Sequence, residues 1–150
     1  MASIELSIPV ATTPESAWEA VRDFGAVDRR LVPGFLTGCS VDGDDRVVTF
    51  STGAVARERL VTLDDDRRRL VYSVVDGAIG LTHHQASVEV VDTGSGSADG
   101  EPRVSTIRWS ADLLPDDLAP TVRAMMAQGA AAIARTLGAG APGDLNSPST

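Results

Sequence analysis

The only two histidines of this 150-residue chain, His83 and His84, stand next to each other. Imidazole is the side chain that most readily exchanges a proton near neutral pH, and a histidine beside a carboxylate is a candidate general base. The surrounding sequence alternates like a strand, in which adjacent residues point to opposite faces, so only one of the two can face the interior. Two polar residues at the beginning of a strand are the simpler interpretation, and adjacent histidines are poor ligands for one metal ion.

Glu58 is the carboxylate that the sequence pattern directs inward. It lies between Arg57 and Arg59 in an alternating stretch, and two arginines in solvent leave Glu58 on the opposite, buried face. A buried carboxylate needs a partner, so the alternatives are a polar pocket, a structural ion pair or a surface glutamate. Tyr72 could offer its hydroxyl to a ligand carbonyl, or could be a core tyrosine whose hydroxyl bonds to the protein.

Other kinds of site have no counterpart in the sequence. The single cysteine, Cys39, cannot form an internal disulfide, and there is no metal-ligand cluster, phosphate-binding glycine loop or nucleophile elbow. We therefore expect no metal and no cofactor. The net charge of −8 disfavours nucleic acid and anionic membranes as partners. No signal peptide or membrane-spanning run is visible, so we expect no membrane insertion. With a single cysteine, a reducing cytoplasm is the expected compartment, and we expect a monomer or a homodimer.

Periodicity and turn signals predict the elements that must hold these residues. Residues 3–10 alternate as a strand, and residues 13–24 carry helical signals, with Thr13 as N-cap and Pro14 at the first helical position. A second short helix is predicted at 26–32. Six strands in a meander are predicted at 35–42, 46–51, 54–63, 68–75, 82–91 and 102–113, with 93–101 as an exposed hairpin loop.

The last predicted element is a long helix that starts near Pro115 and ends at Gly138. Its apolar stripe must cover the apolar face of the sheet, since no other predicted element is long enough. We therefore predict an α+β helix-grip fold: a seven-stranded curved antiparallel sheet around the C-terminal helix, with two short N-terminal helices. Small residues on that helix, such as Gly129, would leave room for a cavity. The domain covers residues 1–138, and residues 139–150 are predicted to be a disordered tail.

Several strings within residues 3–138 resemble the START-like superfamily, in particular its polyketide cyclase/dehydrase and lipid-transport branch. They are TPESAWEAVRDF at 13–24, FLTGCSV at 35–41, ERL at 58–60 and YSVVDG at 72–77, and the last three are similar to plant abscisic acid receptors. Thr37 stands where those receptors carry a lysine for the hormone carboxylate, and this chain has no lysine. The segment 51–55 is too short for their gate, and 78–82 lacks their latch. The resemblance thus implies the fold but not hormone recognition.

The resemblance also implies which residues line the cavity. They are Glu58, Tyr72, Val74, Gln85, Ser87, Arg108, Ser110, Val122 and Met126. His83 joins these candidates because it shares a strand face with Gln85. Arg108 is then the best partner for Glu58, in an arginine–carboxylate fork. In the last strand hydrophobicity alone would direct Trp109 inward, whereas the resemblance directs Arg108 inward, and we follow the resemblance.

Two functions of different classes remain open. The first is a binding module for a small hydrophobic molecule of polyketide, lipid or terpenoid type, held by apolar walls and oriented by a few polar groups. The second is a cyclase or dehydratase that acts on a polyketide-like substrate, with His83 or Glu58 removing a proton next to a carbonyl. A protein-interaction module of the same fold would need an exposed apolar patch, and the sequence shows none.

Overall fold

The computed structural model describes residues 1–77, 79–93 and 104–138. Most of the predicted hairpin loop at 93–101 and the whole predicted tail at 139–150 lie outside the described residues. The elements follow the predicted order. They are β1 (Ala2–Val10), α1 (Pro14–Arg22), α2 (Val27–Arg30), β2 (Leu36–Asp42), β3 (Asp45–Phe50), β4 (Val55–Asp64), β5 (Arg69–Gly77), β6 (His83–Asp92), β7 (Ser105–Leu114) and α3 (Ala119–Leu137).

The strands form one antiparallel sheet of seven strands in the order β1-β7-β6-β5-β4-β3-β2. The meander from β2 to β7 therefore returns to β1, which confirms the predicted topology. Side chains alternate between an inner face, which packs against α3, and an outer face. The predicted helix-grip fold, with two short helices between β1 and β2, is confirmed.

The start of α1 has the predicted cap. The Thr13 side chain accepts a hydrogen bond from the Ser16 backbone N–H at 3.1 Å, and Pro14 occupies the first turn, where its missing N–H costs nothing. The helix ends at Arg22, two residues earlier than predicted, because a 3₁₀ turn at Phe24–Ala26 takes over. Trp18 and Arg22 both donate to Asp65 at 2.8 Å, which fastens α1 to the turn between β4 and β5.

The C-terminal helix α3 crosses the inner face and buries Val122, Met126, Gly129, Ala132 and Ile133. On the side of β1 and β7 the space below the helix is filled by fully buried side chains such as Val10, Ile107 and Leu113. No helix in the described part of the chain is long and apolar enough to span a membrane.

The structure gives Gly129 a different role from the predicted one, which was to leave room for a cavity. A Cβ atom there would lie 2.9 Å from two ring carbons of Trp109 and 3.3 Å from the Phe35 ring. The missing side chain therefore makes room for the Trp109 indole against α3, and the space at this position is already occupied by the protein.

Candidate functional site

A cavity of about 140 Å³ lies between α3 and the sheet, with lining residues on strands β2 to β7. A single buried water needs only about 10–15 Å³ of cavity volume, so this cavity can hold a larger molecule. Most of its wall is apolar. Aliphatic and aromatic side chains come from the sheet, from α2 and from α3, among them Leu31, Phe50, Val74, Val88, Val122 and Met126.

A buried ion pair joins Arg46 and Glu58 in the wall of this cavity. The two residues are opposite each other on β3 and β4, and Arg46 Nε donates to Glu58 Oε1 at 2.8 Å. Their side chains are only 6% and 10% exposed. Arg46 Nη1 also donates to the Phe24 carbonyl at 3.0 Å, and the guanidinium carbon lies 4.0 Å from the centroid of the Phe24 ring. The carboxylate predicted to be buried is therefore held by a guanidinium that is itself well anchored.

This pair corrects the predicted partner of Glu58, which was Arg108. A signal in the sequence could have found Arg46. The turn between β3 and β4 is a three-residue loop, 51–53, centred on Thr52, and Arg46 and Glu58 each stand six positions from Thr52, which makes them neighbours across the hairpin. Antiparallel register, counted from the centre of this three-residue loop, selects Arg46, whereas the predicted strands at 46–51 and 54–63 would have placed Val47 opposite Glu58.

The outer face beside the pair carries a separate charge cluster. Asp45 accepts hydrogen bonds from Arg57 at 2.9 Å and from Arg59 at 2.8 and 3.1 Å. These arginines lower the pKa of Asp45 to about 2. Arg57 and Arg59 therefore lie on the face opposite Glu58, as the alternation predicted.

Trp109 and Tyr72 are hydrogen-bonded to each other in the wall of the cavity. Trp109 Nε1 donates to the Tyr72 hydroxyl oxygen at 3.1 Å, and both side chains line the cavity. Burial raises the pKa of Tyr72 well above its usual range. Hydrophobicity alone had directed Trp109 inward, and the choice of Arg108 instead was wrong: Arg108 is exposed on the outer face, between Ser7 and Glu89 of the adjacent strands.

His84 is the histidine that lines the cavity. The backbone N–H of Val74 donates to His84 Nδ1 at 3.0 Å, and the Ser73 hydroxyl donates to the His84 carbonyl. The paired stretch of β5 and β6 runs only as far as Tyr72 opposite Ala86, so these two bonds connect the strands where they diverge. Burial, with a smaller effect of His83, lowers the pKa of His84 to about 4.

The structure divides the predicted cavity residues into two groups. Glu58, Tyr72, Val74, Val122 and Met126 line the cavity. His83, Gln85, Ser87, Arg108 and Ser110 lie on the outer face of β6 and β7. Ser87 and Ser110 are hydrogen-bonded to each other there at 2.8 Å.

The physical reason for the error is the two-residue period of a strand. Ala86, Val88 and Val90 of β6 are buried against the core, as are Ile107 and Ala111 of β7, whose face Trp109 shares. The residues that alternate with these, such as Ser87, Arg108 and Ser110, must therefore face outward. The apolar alternation already contained this answer, but the resemblance assigned the polar set inward. The residues that were missed are Arg46, His84 and Trp109.

Comparisons with known proteins agree with this architecture. A family model described as polyketide cyclase/dehydrase and lipid transport matches residues 1–138. The structure of the protein XoxI from Bacillus cereus is similar with a TM-score of 0.77 and 19% identity, over 91% of this chain and 96% of that one. A Thermobifida fusca protein has a TM-score of 0.66 and 26% identity, over 93% and 97%.

The fold is also similar to that of a synthase of known structure. Truncated norcoclaurine synthase from Thalictrum flavum superposes with a TM-score of 0.64 and 20% identity, over 89% of this chain and 91% of that one. At such identity the likeness concerns the fold alone. A comparison with curated proteins finds no match.

Proposed function

The chain belongs to the polyketide cyclase/dehydrase and lipid transport family, and from that premise we propose that its cavity binds a small, largely apolar molecule. The observation that carries this proposal is the cavity itself: about 140 Å³, walled mainly by apolar side chains, with Arg46 and Glu58 as its only charged lining residues among those described. Ligand sites of globular proteins have this composition, with few polar groups among many apolar ones.

The two kinds of lining residue have different roles in the proposal. Removal of the ligand's apolar surface from water supplies the affinity, at roughly 25 cal/mol for each Å² buried. The polar groups supply orientation, since a ligand that leaves them without hydrogen bonds pays for their desolvation. The Arg46–Glu58 pair suits this role because it is held in place without a ligand.

A catalytic role is the second candidate, because Glu58, Tyr72 and His84 line one cavity. General acid–base catalysis works best when the pKa of the group lies near the working pH. In two of these groups the environment shifts the pKa away from neutral pH. The pKa of His84 is lowered to about 4, which makes a weak base, and that of Tyr72 is raised. Glu58 already accepts a hydrogen bond from Arg46, with which it forms an ion pair. These features favour binding over proton transfer.

Native mass spectrometry of the protein purified from its own host tests the proposal. We expect a fraction with additional mass, which disappears when the same sample is denatured and is recovered as a small apolar compound in the extract. A catalytic role would instead be supported if the bound compound were converted when held with the pure protein, and if Glu58→Gln stopped the conversion. Protein of unmodified mass that also fails to bind a neutral apolar dye would contradict the proposal.

A further inference from the structure

We propose that Tyr72 and His84 in the cavity wall select an uncharged ligand with a hydrogen-bond-accepting oxygen of the ketone or quinone type. This oxygen accepts hydrogen bonds from the Tyr72 hydroxyl and from His84 Nε2–H. The inference rests on the proposed binding function and specifies the ligand that this site would take. The inference follows from the hydrogen bonds of the lining residues: some of their polar atoms are already paired within the protein, and others are unpaired.

The Tyr72 hydroxyl has one proton to give and two lone pairs. Trp109 Nε1–H, which can only donate, fills a lone pair at 3.1 Å. The indole therefore fixes the hydroxyl as its acceptor and leaves the hydroxyl proton free. Within the described residues the hydroxyl donates no hydrogen bond, so a ligand oxygen can accept its proton.

The same argument applies to His84. Its Nδ1 accepts the Val74 N–H at 3.0 Å, so in the neutral ring the proton must be on Nε2. In the described part of the chain Nε2 has no hydrogen-bond partner, and the side chain lines the cavity. The rings of Tyr72 and His84 are 5.8 Å apart between centroids, so the two open donors belong to neighbouring side chains of the cavity wall.

Charge balance determines that the ligand should be neutral. Arg46 and Glu58 neutralise each other at 2.8 Å and are the only charged side chains in the described lining. A ligand carboxylate would find no unpaired cation and would lie close to Glu58. A ligand ammonium would meet the Arg46 guanidinium in the same way. Either charge would be desolvated without compensation, which is costly.

Three naphthalenes of similar size test the inference with the intact protein. They are 2-acetylnaphthalene, which has a carbonyl acceptor, 2-ethylnaphthalene, which has none, and 2-naphthoate, which is an anion. We expect the ketone to bind about tenfold more tightly than the hydrocarbon in isothermal titration calorimetry, since each new hydrogen bond contributes modestly. We expect naphthoate to bind more weakly than the ketone at pH 7.

Variants identify the atoms responsible. Tyr72→Phe removes the hydroxyl, and His84→Asn keeps an acceptor near the place of Nδ1 but removes Nε2–H. Each should reduce the preference for the ketone over the hydrocarbon several-fold. His83→Asn, the same change on the outer face, should leave that preference unchanged.

The outcomes separate this inference from the proposed function. If the ketone and the hydrocarbon bind with equal affinity, or if naphthoate binds best, the inference is overturned while the cavity remains a binding site. If none of the three compounds binds, the proposed function fails and the inference fails with it. Because the three compounds are compared on the unaltered protein, the test stands even if a variant does not fold.

Discussion

Arg46 and Glu58 face each other across β3 and β4, with Nε and Oε1 2.8 Å apart and both side chains almost fully buried. The pair is a single electrically neutral unit in an apolar wall. Removing one partner leaves the other as an unpaired buried charge, whereas removing both leaves none. The pair therefore has a stability signature that a surface ion pair does not have.

The first prediction concerns this signature. Arg46→Met and Glu58→Gln should each lower the free energy of unfolding by ~3–5 kcal/mol, because each leaves an uncompensated buried group. The double variant should recover a large part of that loss. Urea denaturation of the parent, the two single variants and the double variant gives the coupling free energy between Arg46 and Glu58.

Arg108→Met is the matched control for Arg46→Met, because Arg108 is exposed on the outer face. It should change stability by less than about 0.5 kcal/mol. If Arg46→Met behaved like Arg108→Met, or if the losses in the double variant simply added, the pair would not be the buried unit described here.

The second prediction concerns the contact between Gly129 and Trp109. Gly129→Leu should destabilise the protein by about 1–3 kcal/mol, although leucine is the better helix former, because the added atoms meet the indole ring within 2.9 Å. The tryptophan emission should shift as well, since the ring must move. Thermal unfolding and fluorescence of the folded protein measure the two effects.

Ala131→Leu on the exposed side of α3 is the control for that substitution, and it should leave both stability and emission nearly unchanged. Unaltered emission in Gly129→Leu would show that Trp109 does not pack against this position.

The third prediction concerns pH. The pKa of His84 is lowered from 6.5 to about 4 in the folded state, mainly by burial. The unfolded chain therefore binds more protons between these values, and stability should fall as the pH drops from about 6.5 to about 4. His84→Asn should flatten this part of the stability curve, and His83→Asn should not. Equal curves for the parent and for His84→Asn would contradict the buried, neutral imidazole.

Much of the fold could be predicted because its signals are local. The Thr13 cap, the alternation in β1 and the Gly- and Asp-containing turns between strands depend on neighbours in sequence, and they gave the elements to within a few residues. The meander topology then followed, since consecutive antiparallel strands joined by short turns pair with each other.

The site was harder because it depends on relations across strands. Glu58 could be directed inward by its two flanking arginines, but its partner Arg46 is specified by hairpin register. The role of His84 depends on where β5 and β6 diverge, which no local pattern reports. In β7 a shift of one residue exchanged Arg108 for Trp109, and only the apolar alternation could have decided between them.

The most direct test of the binding proposal is a pair of identical substitutions at adjacent residues of β5. Val74 lines the cavity, whereas Val75 is 42% exposed. Fluorescence titration with the neutral dye N-phenyl-1-naphthylamine should show about one site per chain in the parent and in Val75→Phe. In Val74→Phe the added ring occupies the cavity, and the affinity should fall about tenfold or more. Equal dye binding by Val74→Phe and Val75→Phe, with both proteins folded, would contradict a ligand-binding cavity at this place.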